Sequence, residues 1–146
     1  MLDSVYNAKI LEFAGNIPAQ GSLENPDAVV KKHSKLCGST VEVSMKLVDG
    51  KVAAYAHEVN ACALGQAAAS IMARSVIGAT IDELRDARDA VLAMLTAGAD
   101  APSGRFSDAM YLAPVKDYPA RHLSTLLAFE AALEAAQIIS REIKAD

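Results

Sequence analysis

Residues 41–47 read Val-Glu-Val-Ser-Met-Lys-Leu, apolar at every second position. That alternation is the mark of a strand with one buried face. Asp49-Gly50 follows directly, a dipeptide that tolerates the positive φ of a tight hairpin turn. Residues 51–59 are then the returning strand, and residues 28–36 supply a strand ahead of the pair. At the start of the chain the spacing changes. Val5, Ala8, Ile10, Leu11, Phe13 and Ala14 fall at helical intervals, which predicts a helix over 4–15. Pro18, Gly21, Ser22, Asn25 and Pro26 separate that helix from the first strand with turn-forming chemistry.

Beyond residue 60 the pattern is helical. Residues 61–77 are rich in alanine and end at Gly78, a glycine terminator. Thr80 and Glu83 form a capping box, in which the hydroxyl takes a helical N–H and the carboxylate reaches back to the cap. The helix they open runs to about Ala97, and Gly98 stops it. Residues 99–104 read as a loop and 107–112 as a short helical turn. Residues 119–144 read as one long helix carrying Leu123, Leu126, Leu127, Leu133, Ile138 and Ile139 on its apolar face. The order predicts one α+β domain over 1–146: a three-stranded antiparallel sheet with an N-terminal helix and several C-terminal helices packed on it.

Composition narrows the function classes. A chain of 146 residues that is 52% hydrophobic can bury a core without disulfide staples. No continuous apolar stretch is long enough to span a bilayer. The first ten residues lack the basic start and apolar run of a signal peptide, so the expected compartment is the cytoplasm. The net charge is −4 and no Lys/Arg cluster stands out, which argues against nucleic acid or an anionic membrane as partner. Phosphate loops, nucleophile elbows and His-Glu-x-x-His motifs are absent. Asp82 and Glu83 complement a helix dipole, and residues 85–89 form a solvated mixed-charge face.

The candidate chemistry lies in the two cysteines, Cys37 and Cys62. In a reducing compartment such a pair reads as free thiols or metal ligands rather than a structural disulfide. Cys62 sits where a strand gives way to a helix, and free N–H groups and the helix dipole there favour a thiolate. Cys37 precedes Gly38, which permits a bend between the first two strands; a chain leading from there into the hairpin brings Cys37 toward Cys62. For either residue alone, a small packed thiol is the competing reading.

Cys37-Gly38-Ser39, the alternating strand, the Asp-Gly turn and Cys62-Ala-Leu-Gly-Gln-Ala-Ala-Ala-Ser70 occur in the order of a known pattern. So does Pro119-Ala120-Arg121-His122-Leu123-Ser124-Thr125-Leu126-Leu127-Ala128. Together they resemble the iron–sulfur cluster assembly scaffolds of the IscU, NifU N-terminal and SufU type, over nearly the whole chain. The resemblance implies a non-enzymatic carrier of iron and a transient iron–sulfur cluster. Its implied partners are a cysteine desulfurase and iron–sulfur acceptor proteins. The family pattern holds its cluster or zinc with three cysteines and the aspartate of Cys-Gly-Asp.

The departures lie at two of those positions. Ser39 stands where the family has the aspartate and Ser124 where it has the third cysteine. A serine hydroxyl stays protonated near neutral pH and is a poor ligand for thiophilic metals. His122 is the replacement candidate as a metal ligand, although the helix turns roughly 100° per residue and many relatives carry their histidine one position later. His33 and His57 lie on strands and need no metal to explain them. Leu112-Ala113-Pro114-Val115-Lys116 looks like the chaperone-recognised Leu-Pro-Pro-Val-Lys of the IscU branch, but is displaced from the third-cysteine position, so no chaperone dependence is expected.

Three readings follow. In the first, Cys37, Cys62, Ser39 and Ser124 form the cluster-binding site, with Cys37 and Cys62 as its thiolate ligands, and a homodimer assembles one [2Fe–2S] centre from two thiolates per copy. In the second, the chain keeps the fold, has lost the metal, and acts as a binding or regulatory module. In the third, Cys37, Cys62 and His122 bind zinc with an open position.

Overall fold

The computed structural model describes residues 4–35 and 38–145. Helix α1 (Ser4–Gly15) precedes strands β1 (Ala28–His33), β2 (Thr40–Val48) and β3 (Lys51–Asn60), then helices α2 (Ala63–Ser75) and α3 (Ile81–Ala97). A run of 3-10 turns (Gly104–Asp117) and a single 3-10 turn (Pro119–Arg121) lead into helix α4 (His122–Ala145). The architecture is the expected α+β arrangement. The strands form an antiparallel meander in the order β1-β2-β3.

The hairpin turns at Asp49 and Gly50, with φ of 53° and 75°. Two consecutive positive φ values give the turn whose twist suits a two-residue hairpin. Val30, Val41, Val43, Met45, Leu47, Tyr55 and His57 are buried on one face of the sheet, as the register pairs Val30 with Val43 and Val43 with His57. Helix α4 packs across that face. Ala67, Ala68 and Ala69 of α2 and Ala131, Ala132, Ala135 and Ala136 of α4 have no exposed surface. Small side chains let these two helices approach closely, and α1 packs on the far side of α2.

The free flank of β3 is closed by chain from elsewhere. His57 N–H donates to the carbonyl of Ala19, and Gly21 N–H donates to the carbonyl of His57. Near the other end of the strand, Val52 N–H donates to Ala79 and Gly78 N–H donates to Val52.

Helix α3 opens on the expected capping box at Thr80 and Glu83, and ends at Gly98 with φ 70°. Four boundaries differ from the sequence expectation. Helix α2, expected over 61–77, spans Ala63–Ser75 with Val76 as its C-cap. Strand β1 ends at His33: Ser34 N–H donates to Ser39, closing a turn. The expected end at Leu36 lies outside the described residues. The helical turn expected over 107–112 extends across Gly104–Asp117, with Phe106, Ala109, Leu112 and Val115 buried. Their spacing of three matches the 3-10 repeat, and Pro114 supplies no N–H for an α-helical bond. Leu112 and Val115 are thus core residues of the displaced Leu-Ala-Pro-Val-Lys segment. The last helix is likewise shorter at its start, because residues 119–121 form a 3-10 turn before α4.

The stretch Pro119–Glu142 also amends the bilayer argument, since its length and hydropathy of 1.3 suffice for a membrane span. Its 18-residue window is 67% buried inside the fold, where the apolar face serves as core.

Candidate functional site

Cys62 is the N-cap residue of α2, with extended backbone at φ −67° and ψ 171°. Strand β3 delivers the chain to this corner, and two bonds fix it. Gln66 N–H donates to the carbonyl of Cys62 at 2.9 Å, and the Gln66 side-chain amide donates to the carbonyl of Ala61 at 2.9 Å. A Cys62 side chain so placed faces the first N–H groups of the helix.

Burial pushes the Cys62 thiol up; the N–H groups of Gly65 and Leu64, the Ser124 hydroxyl and the Arg121 guanidinium pull it down and prevail. The sulfur makes no cap hydrogen bond of ordinary length. The N–H dipoles nevertheless act on it, as they act on any anion at a helix start.

Ser124, in the first turn of α4, faces this sulfur. Its Oγ lies 3.6 Å from Cys62 Sγ and is hydrogen-bonded with Ser39 Oγ at 3.1 Å. Both serines are about 2% exposed or less. Gly65 makes the approach possible: a Cβ there would meet Ala61 Cβ at 2.8 Å and Ser124 Oγ at 2.9 Å. Ser39 comes from the turn between β1 and β2, where Gly38 N–H donates to Ser34 at 2.8 Å and Gly38 has φ 70°. Three distant segments therefore meet at one point: the β1–β2 turn, the start of α2 and the start of α4.

Of the residues expected at a site, Cys62, Ser39 and Ser124 are brought together. Cys37 lies outside the described residues; its neighbours Gly38 and Ser39 belong to the turn that reaches the site. His122 faces elsewhere. Its Nε2 is 3.0 Å from the carbonyl of Val115 and 3.1 Å from that of Lys116. Two carbonyls can only accept, so this nitrogen carries the proton and offers no lone pair. His57 is fully buried, with Nε2 2.8 Å from the carbonyl of Pro18. Among the described residues no group of three or more His, Cys, Asp or Glu could hold a metal ion. Cys62 is the soft donor here, with two hard hydroxyls beside it.

Sequence reasoning missed two participants. Arg121 lowers the thiol's pKa by its charge, and Gly65 admits Ser124. Both lie inside the motifs that identify the segments, and Gly65 stands out as a glycine in an alanine-rich helix, where it costs helix stability unless something needs the space.

Comparison with known proteins identifies the relatives of this chain. Residues 5–125 match the family described as NifU-like N terminal domain. The crystal structure of a nitrogen-fixing NifU-like protein (N-terminal) from Brucella abortus is 58% identical, superposes with a TM-score of 0.92, and shares 94% of this chain and 96% of that one. The iron-sulfur cluster assembly scaffold protein IscU of Thermotoga maritima is 27% identical over 137 residues, 94% of this chain and 96% of its own length. An iron-sulfur cluster assembly scaffold protein of a SUF system from Fervidobacterium islandicum has the same fold, with a TM-score of 0.80 at 23% identity over 88% of this chain and 93% of that one.

Proposed function

Because this chain belongs to the family of NifU-like N terminal domains, we propose that it is an iron–sulfur cluster assembly scaffold whose cargo is built on Cys62. The observation that carries the reading is the convergence of Ser39, Cys62 and Ser124 from three separated segments. Their positions are those where the family pattern places ligands.

In this reading Cys62 is the primary anchor. The α2 N–H groups and Arg121 hold it toward the thiolate, the form that binds iron and sulfur. Cys37, two residues before Ser39 in the sequence, is the second thiolate. Ser124 and Ser39 hydrogen-bond at the sulfur's edge rather than binding the cargo. Two thiolates per copy make a four-thiolate set when two copies share one [2Fe–2S] centre. Such a centre is labile, which suits a carrier that must release its load. A cysteine desulfurase supplies sulfur and an acceptor protein removes the cluster; the chain itself turns over no substrate. In the zinc reading His122 would bind through Nδ1, since its Nε2 is bonded to the carbonyls of Val115 and Lys116.

Anaerobic reconstitution with ferrous iron and sulfide tests this. Sulfur-to-iron charge-transfer absorption is expected in the wild type, absent in Cys62→Ala and Cys37→Ala, and retained in His122→Ala. A colourless wild type, or absorption that survives Cys62→Ala, overturns the proposal.

A further inference from the structure

Strand β1 leaves one side of the sheet open. Among the described residues it pairs with β2 alone. Ser34 N–H bonds to Ser39 across the pair, and in an antiparallel ladder the bonded positions alternate. The backbone groups of even-numbered residues 28–34 therefore face β2, and those of Val29, Lys31 and His33 face outward. Among the described residues no hydrogen bond reaches those outward groups. All three residues are exposed, Val29 by 53%.

Beside this edge lies a groove of about 370 Å³ between the end of β1 and the start of α4. Leu123, Leu126 and Leu127 form its apolar wall, and Lys32, Ser34 and Lys35 its rim. Leu123 is 53% exposed. Ser34 also lines the groove; its Oγ is buried and has no partner among the described residues.

We propose that this edge and groove dock an extended acidic segment of a partner protein, which adds a fourth strand beside β1 and places a large apolar side chain against Leu123, Leu126 and Leu127. Main-chain bonds to an open edge give such a segment its affinity, and side-chain pockets give it specificity. Charge selects the occupant. Glu130 is tied to Arg88 at 3.1 Å and Glu134 to Lys32 at 2.9 Å. Lys31 and Lys35 have no ion pair among the described residues, although Lys31 stands opposite Glu42 in register. In a protein of net charge −4, this edge carries Lys31, Lys32, His33 and Lys35 within five residues. A second copy pairing edge to edge would bring these cations against their own kind, which opposes self-association. An acidic strand meets no such penalty. Leu123 of the groove directly precedes Ser124, whose Oγ lies 3.6 Å from Cys62 Sγ, so a docked partner would lie near the site. This rests on the scaffold reading only for the partner's purpose, since docking makes no use of the thiol.

The probe is a fluorescein-labelled heptapeptide, Glu-Leu-Asp-Phe-Asp-Leu-Glu, beside a counterpart with lysine at each acidic position. Saturable binding of the acidic peptide is expected by anisotropy, with the basic peptide weaker by about tenfold or more. The amide protons of Val29, Lys31 and His33 should exchange more slowly in the complex. Lys31→Pro removes an outward N–H that an edge strand can spare, so it should weaken binding beyond Lys31→Ala. Cys62→Ala should bind as the wild type does, which separates this test from cluster reconstitution. Equal binding of both peptides, slowed exchange confined to other strands, or matching affinities for Lys31→Pro and Lys31→Ala would each overturn the proposal. So would a concentration-dependent dimer dissolved by Lys31→Pro, which would make a second copy the occupant.

Discussion

Restoring a thiol at position 124 tests whether the convergence of segments is a ligand geometry. A tetrahedral ion with metal–sulfur bonds of about 2.3 Å holds its sulfurs about 3.8 Å apart. Cys62 Sγ and Ser124 Oγ are 3.6 Å apart, so Ser124→Cys places a second sulfur near the required separation. Structural zinc sites release about 10–16 kcal/mol over four ligands, or about 3 kcal/mol each, which is about a hundredfold in Kd. The substitution also removes the bond from Ser124 to Ser39, a loss of about 1 kcal/mol that lowers the metal-free Tm by about 3 °C. Metal-free protein should therefore melt lower than wild type while metal-loaded protein melts higher. Cobalt(II) titration followed by thiolate charge-transfer absorption measures the affinity, and scanning calorimetry with and without zinc measures both Tm shifts. Equal cobalt affinities for wild type and variant would refute the geometric reasoning, as would a gain that persists when Cys62 is also changed to alanine.

Three further outcomes are expected. Gly65→Ala should destabilise the fold by about 1–3 kcal/mol through overpacking, read by chemical denaturation, against the gain of up to about 1 kcal/mol that helix propensity alone predicts. In a Cys37→Ser background, the pH midpoint of Cys62 alkylation by iodoacetamide should lie below the usual thiol value, and Ser124→Ala should raise it, because the Ser124 hydrogen bond is one of the influences holding the thiol down. Burial lowers the His57 pKa, against the opposing bond to Pro18; the unfolded chain therefore takes up the proton first, and stability should decline as pH falls below about 6.5. His57→Gln should flatten that part of the denaturation profile.

Much of the fold was legible because local signals agreed with the tertiary solution. The strict alternation of 41–47, the Asp49-Gly50 turn and the Thr80–Glu83 box each specify a conformation within a few residues. The run Gly104–Asp117 was harder to read because its apolar period of three lies close to the helical 3.6, and Pro114 alone marks the difference. At the site, Cys62 announced itself through its place at a strand–helix junction. The orientation of His122 could not be read, since it depends on carbonyls at the end of a separate 3-10 segment. Nor could the contact of Ser39 with Ser124, which lie 85 residues apart and meet only once α4 has packed across the sheet.

The bonds that His57 makes to residues 19 and 21, and those of Val52 to residues 78 and 79, settle more than the position of one strand. They leave the sheet extensible from a single side. A chain with two receptive flanks can propagate into fibres; one with a single flank stops after the first addition. A strand docked on β1, as proposed above, would end the growth of this chain's sheet, whether the cargo is held by one copy or by two.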